Sequence, residues 1–264
     1  MNSPLLRNKS LSLLIHLITL NRMHFLPQAI YNEDMAITLS FDVYGTLVNT
    51  DGVVEALRKH VGDKASDFSR TWREKQLEYT FRRGLMQRYE PFDLCIKNAL
   101  DYTNSYFKVT LNQQTKDELI NVYSTLSIFD DVVDSLAILK SAGFRIFAFS
   151  NGSANTVELL LNNANISSYF LDVVSVDEIK SYKPNPDVYR HFLKRADAKK
   201  DSAWLVSSNP FDVIGAISYG MRAAWIKRST EALFDPWGIE PTFTVNSLLN
   251  LAKQINQFAN CTTD

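Results

Sequence analysis

The feature that most narrows the fold is a change of rhythm along the chain. After residue 125, short apolar runs alternate with amphipathic stretches. "DVVDSLAILKSAG" is helical with a Gly stop, "FRIFAFSNG" a strand entering a turn, "ANTVELLLNNA" a helix, and "LDVVSVDEI" a short strand. "NPDVYRHFLKRA" is then helical, "SAWLVSSN" a strand, "FDVIGAISYG" helical and "MRAAWIKR" a strand. Helices alternating with buried strands predict a parallel, doubly wound sheet. One further strand, Ile37 to Val43, stands far upstream, and residues 53–123 behind it carry only helix-like segments. The expected architecture is an α/β core, residues 37–50 and 125–254, with a helical cap, residues 51–124, inserted after the first strand. Residues 1–36 form an N-terminal extension.

Bulk properties exclude several kinds of partner. A net charge of −1 and the absence of any Lys/Arg-rich tract leave no footprint for nucleic acid, so a small-molecule substrate is expected. Cys95 and Cys261 match no metal spacing or redox pair, which suits a reducing, cytoplasmic compartment. In the extension, "LSLLIHLITL" is too short to span a bilayer. It has the length of a signal h-region, but no small-x-small cleavage site follows. Two readings stay open: an organelle-targeting piece, or a dispensable leader with Met35 as the natural start.

Ligands of doubly wound sheets bind at the carboxyl ends of the strands. Here those ends are polar: Asp42 to Thr46, Ser150-Asn151-Gly152, Tyr182-Lys183-Pro184, and Ser207-Ser208-Asn209 followed by Asp212. Asp42 follows a buried apolar run. It either caps the next turn or acts as a nucleophile, since ionised carboxylates form covalent intermediates. Thr46 could hold that carboxylate through its hydroxyl, and Lys183 could keep it ionised. Ser150 and Asn151 precede a helix, where they serve either as caps or, with the Val43 and Tyr44 amides, as donors to an anionic group of a substrate. Asp212 is the candidate to activate water, oriented by Ser207 and Asn209. The four histidines (His16, His24, His60 and His191) offer no ligand pair.

These clusters resemble the four motifs of the haloacid dehalogenase superfamily. "FDVYGTL" is similar to its first motif, "SNGS" to its second, "YKPNPDVY" to its third and "VSSNPFD" to its fourth. The resemblance is closest to the L-2-haloacid dehalogenases (type II, (S)-2-haloacid dehalogenases), because "WREKQLEYTFRRGLM" looks like that branch's cap sequence. It implies that Arg73 faces the departing halide and the substrate anion. It also implies that Tyr189 orients Lys183 or a carboxylate, that Leu77, Phe92 and Phe211 wall the alkyl group, and that the enzyme is a homodimer. The implied reaction is hydrolysis of a short (S)-2-haloalkanoic acid to the (R)-2-hydroxy acid through an Asp42 ester.

The alternative is a magnesium-dependent phosphatase of the same superfamily. Against it, Tyr44 stands where such phosphatases carry a second Asp, and the fourth motif offers Asp212 alone. Magnesium commonly recruits one or two carboxylates. With Asp42 committed as nucleophile, the expectation is no metal and no cofactor.

Overall fold

The four residues "TLSF" form strand β1 (Thr38–Phe41), buried at every position. Two of them are hydroxylic, and Ser40 answers for its burial by donating to the Trp204 carbonyl at 2.9 Å. The computed structural model describes residues 37–261, so the expectations for residues 1–36 lie outside the described residues.

Four helices follow β1: α1 (Gly52–Val61), α2 (Ala65–Leu85), α3 (Phe92–Tyr106) and α4 (Gln113–Val122). The alternating region then gives α5 (Val132–Ser141), β2 (Arg145–Ser150), α6 (Ala154–Asn163), β3 (Asp172–Ser175) and α7 (Pro186–Arg195). It continues with β4 (Ala203–Ser207), α8 (Pro210–Tyr219), β5 (Arg222–Ile226), β6 (Phe243–Val245) and α9 (Leu248–Cys261). The six strands run in the order β3-β2-β1-β4-β5-β6, every neighbouring pair parallel. Phe41 at the end of β1 pairs with Ala148 of β2 on one side and Val206 of β4 on the other. The chain turns to opposite sides of β1, which makes its carboxyl end the switch point where a crevice opens. An α/β doubly wound parallel sheet with a helical insertion after its first strand is therefore what the chain builds.

The local differences have local causes. β1 stops at Phe41 rather than Val43, because the Val43 carbonyl takes the amides of Thr46, Leu47 and Val48 into a tight turn. Gly45 permits that turn with φ of 81°. The strand expected over "LDVVSVDEI" keeps only Asp172–Ser175, since the Ser175 hydroxyl accepts the Asp177 amide and starts a 3-10 turn. Strand β6 has three residues, too few for a period-2 signal. Helix α9, which the alternation did not register, buries Leu248, Leu251, Ala252 and Ile255 at helical spacing and runs on to Cys261.

In the insertion, α2 buries Ala65, Phe68, Trp72, Gln76 and Thr80, a stripe of three- and four-residue steps. Trp72 Nε1 donates to the Ile96 carbonyl at 2.9 Å and ties α2 to α3. One row over, Arg73, Leu77 and Phe81 succeed each other at i, i+4 and i+8, each half-buried. That row faces the crevice. Among the described residues no helix is long and apolar enough to cross a membrane.

Candidate active site

The crevice at the end of β1 is lined by Asp42, Tyr44, Arg73, Leu77, Phe92, Ser150, Asn151, Lys183, Asn209 and Phe211. All ten are residues singled out in the sequence. The crevice is narrow and partly open to solvent.

Asp42 is 7 % exposed and does not cap the turn. Its Oδ2 accepts three hydrogen bonds: from the Thr46 hydroxyl at 2.9 Å, the Ser207 hydroxyl at 3.3 Å and the Asn209 amide at 2.7 Å. Its Oδ1 has one long contact, with Lys183 Nζ at 3.4 Å. The two oxygens of one carboxylate are thus unequal: Oδ2 is saturated and Oδ1 nearly bare. The Thr46 hydroxyl itself accepts the Ser208 amide at 2.9 Å, and its proton points to Asp42 Oδ2 at 2.9 Å, with the Ser208 hydroxyl oxygen further off at 3.2 Å.

Ser207 and Asn209 were expected to orient Asp212. They bind Asp42 instead, because β1 and β4 are adjacent and bring the end of β4 beside Asp42, whereas Asp212 lies further on, in the first turn of α8. Asp212 is fully buried and does not line the crevice. Its Oδ2 takes Lys183 Nζ at 2.8 Å, and its Oδ1 takes the Tyr189 hydroxyl at 2.9 Å. Burial pushes the Asp212 carboxyl up to about 6. The Lys183 ammonium opposes that rise and Asp42 adds to it. The Tyr189 hydroxyl therefore orients a carboxylate, and burial holds its own pKa well above the usual phenol value. Helix α8 can pass this close to Tyr189 only because residue 215 is glycine. A Cβ there would stand 2.3 Å from the Tyr189 hydroxyl and 2.6 Å from Pro184 Cβ.

Lys183 is 1 % exposed. An ammonium has three protons, and here each has an acceptor: Asp212 Oδ2 at 2.8 Å, the Phe149 carbonyl at 2.8 Å and Asp42 Oδ1 at 3.4 Å. The ammonium also lies 4.1 Å from the centre of the Phe149 ring.

Ser150 and Asn151 are not helix caps, because Ser153 takes that place for α6. Ser150 Oγ accepts the Gly152 amide at 3.1 Å and Asn151 Oδ1 accepts the Lys183 amide at 3.0 Å. Both side chains keep a donor, and both line the crevice. The Val43 and Tyr44 amides have no acceptor among the described residues. Arg73 supplies a guanidinium with no hydrogen bond or ion pair among the described residues. The apolar wall is Tyr44, Leu77, Phe92 and Phe211. The Tyr44 ring leans on Phe92 and Tyr123, both at 6.1 Å, and burial pushes its phenol pKa far up, so it stays neutral.

Three supports escaped the sequence reading. Phe81 braces Phe211 edge-on at 5.2 Å, and the i+4 row from Arg73 through Leu77 pointed to it. Gln76, fully buried, donates to the Tyr123 hydroxyl at 2.8 Å behind Tyr44. A buried Gln in an otherwise apolar stripe was its signal. Phe149 offers only its carbonyl and ring face to Lys183, which nothing in a strand sequence marks.

The donor set does not fit magnesium. The Lys183 ammonium occupies the space between the two carboxylates, Asp42 and Asp212, and Tyr44 adds a neutral phenol rather than a further carboxylate. Among the described residues no group of three or more His, Cys, Asp or Glu could hold a metal ion.

Fold and site together define a hydrolase in which an aspartate, at the switch point of a parallel sheet, stands beside a buried lysine and an arginine unpaired among the described residues. Residues 38–220 match the family model of haloacid dehalogenase-like hydrolases. The chain is 37% identical over 207 residues to haloacetate dehalogenase H-2 of Moraxella sp. (strain B), covering 78% of this chain and 92% of that protein. It is 34% identical over 220 residues to the (S)-2-haloacid dehalogenase of Pseudomonas putida, covering 83% and 95%. A solved structure of the L-2-haloacid dehalogenase from Xanthobacter autotrophicus, with chloropropionic acid covalently bound, superposes with a TM-score of 0.79. That match has 27% identity and covers 84% of this chain and 98% of that one. The chain belongs to the haloacid dehalogenase-like hydrolases and, among them, to the (S)-2-haloacid dehalogenases.

Proposed function

We propose that the protein hydrolyses short (S)-2-haloalkanoic acids to (R)-2-hydroxy acids and halide through an ester on Asp42, without a metal. The observation that carries this reading is the inequality of the two Asp42 oxygens. Oδ1, nearly free of donors, attacks the halogen-bearing carbon from the rear, forming a C–O bond as the C–halogen bond breaks. Inversion follows from that geometry. Halide departs towards Arg73, whose uncommitted charge offsets the negative charge that builds on the halogen. The Ser150 hydroxyl, the Asn151 amide and the Val43 and Tyr44 N–H groups take the substrate carboxylate. Tyr44, Leu77, Phe92 and Phe211 hold its short chain.

In the second step, water adds to the Asp42 carbonyl carbon, and the oxyanion forms on Oδ2 within reach of Thr46, Ser207 and Asn209. Alkylated Asp42 no longer competes for the third Lys183 proton, so that ammonium is free to orient the water. Lys183 passes a proton to Asp212, 2.8 Å away, and its neutral amine then takes one from the water as the water attacks. On collapse the Asp42 oxygen departs with the product and takes a proton from the restored Lys183 ammonium, which regains one from Asp212. The water oxygen stays on Asp42, and its remaining proton is lost to solvent. Asp212 thus serves from behind Lys183.

On this reading residues 51–124 close as a cap over a core of residues 37–50 and 125–254. The enzyme works as a cytoplasmic homodimer, a setting that suits its two free thiols, Cys95 and Cys261. A single turnover of (S)-2-chloropropionate in heavy-oxygen water tests the route. The label is expected in the Asp42 carboxylate first; label appearing only in the product defeats the ester mechanism. Halide release retained in excess chelator separates this reaction from a magnesium-dependent phosphatase.

A further inference from the structure

Arg228 lies just beyond β5 and outside the crevice, yet its side chain reaches the nucleophile's turn. Its Nη2 donates to the Thr46 carbonyl at 2.6 Å and its Nε to the same oxygen at 3.2 Å. Its Nη1 meets both Asp131 oxygens, at 2.9 and 2.8 Å. Asp131 Oδ2 also accepts the Leu248 amide, at the start of α9, at 2.7 Å. The guanidinium lies 4.0 Å from the centre of the Phe129 ring. Both partners are only 14 % exposed. A largely buried ion pair is weak evidence for stability, so its presence asks for another reason.

The reason is at Thr46. Arg228 pins its carbonyl, and the Ser208 amide occupies its hydroxyl oxygen at 2.9 Å. Held at both ends, Thr46 has two acceptors in reach of its hydroxyl proton, Asp42 Oδ2 at 2.9 Å and the Ser208 hydroxyl oxygen at 3.2 Å, of which the carboxylate is the nearer and the stronger. We propose that Arg228 is a positioning residue that aligns the Thr46 hydroxyl on Asp42 Oδ2, and so governs breakdown of the Asp42 ester more than its formation. The inference rests on the dehalogenation reading above. Its asymmetry follows from where charge moves. During alkylation, negative charge leaves the carboxylate, so a donor on Oδ2 gives the attack no help. During hydrolysis, negative charge builds on Oδ2, and each aligned donor lowers that barrier.

The test uses the full-length enzyme with (S)-2-chloropropionate, comparing Arg228→Gln and Arg228→Lys with the parent. Steady-state rates are read alongside the intact mass of acid-quenched protein. In Arg228→Gln, kcat is expected to fall about 10- to 100-fold, the loss of one oxyanion donor's alignment. KM falls with it, kcat/KM stays within about threefold, and most of the enzyme carries the substrate-derived adduct on Asp42. Lysine lacks the fork needed to serve Thr46 and Asp131 together, so Arg228→Lys gives a smaller version of the same pattern. The inference is overturned if kcat and kcat/KM fall together with no adduct, or if folded variants keep the parent's kcat. It is also overturned if both variants lose the folded state, which would make Arg228 a stability residue. A parent enzyme that neither turns over nor forms adduct would defeat the dehalogenation reading itself.

Discussion

The two walls of the crevice are built in opposite ways. On the sheet side, Asp42, Thr46, Ser207, Asn209, Lys183, Asp212 and Tyr189 are linked in one hydrogen-bonded network that leaves only Asp42 Oδ1 nearly bare. On the helical side, α2 and α3 contribute Leu77, Phe92 and a single charge, Arg73, with no partner among the described residues. A fixed network costs no reorganisation when charge develops, so the sheet side is set before substrate arrives. An unpaired guanidinium is worth most when an anion reaches it. The contrast teaches that rate and stability should separate on one wall and coincide on the other.

Breaking the sheet side gives the largest expected effect. Lys183→Met leaves Asp212 buried without its cation and facing Asp42. Removing one partner of a buried charge pair costs about 3–5 kcal/mol. Urea unfolding should show that loss, and halide release should drop by about 100-fold or more, the scale of one preorganised charge. A variant as stable as the parent would mean the network is not the unit described here.

Arg73→Ala should do the reverse. Turnover falls by about 100- to 1,000-fold, while the free energy of unfolding stays within about 0.5 kcal/mol, as for side chains with no structural partner. Arg73→Lys restores only part of the rate, because an ammonium lacks the planar fork that suits a carboxylate and a halide together. A large stability loss in Arg73→Ala would erase the contrast between the walls.

Gly215→Ala reaches the sheet side indirectly. The new methyl would stand 2.3 Å from the Tyr189 hydroxyl, so Tyr189 must move off Asp212 or α8 must shift. Overpacking of this kind costs about 1–3 kcal/mol, and thermal unfolding should report it. Turnover should fall less than in either charge variant, since Lys183 still holds Asp212.

The sheet and the polar ends of its strands were legible because both depend on local pattern: alternation of apolar runs with helices, then a polar cluster at each strand end. What residues such as Ser207 and Asn209 touch was not legible. Their partner depends on which strands are neighbours, and β4 lies beside β1 although more than 160 residues separate Ser207 from Asp42. Strand order is a tertiary fact with no signature in either strand. Arg228 is the sharper case. In sequence it is one cation after a strand, and only the folded chain brings Thr46 and Asp131 to it, with Asp131 held in turn by the Leu248 amide. The cap residues Arg73 and Leu77 came from a motif resemblance, while Phe81, one turn further along the same helix row and within the same stretch, was passed over because the resemblance gave it no role.

The smallest effect concerns pH. Burial lifts the Asp212 carboxyl to about 6, and the proposed relay needs it ionised to receive a proton. Turnover should therefore rise as pH increases through about 6 and level off above it. The Tyr189 hydroxyl donates to Asp212 Oδ1 at 2.9 Å, and a hydrogen bond to a carboxylate favours its charged form. Tyr189→Phe removes that donor, so the carboxyl holds its proton to higher pH and the acidic limb of the kcat profile moves upward. Lys183 keeps its own contact in this variant, so the plateau rate should change only modestly. A limb that stays in place would assign the titration to a group other than Asp212, and with it the proton that leaves the water.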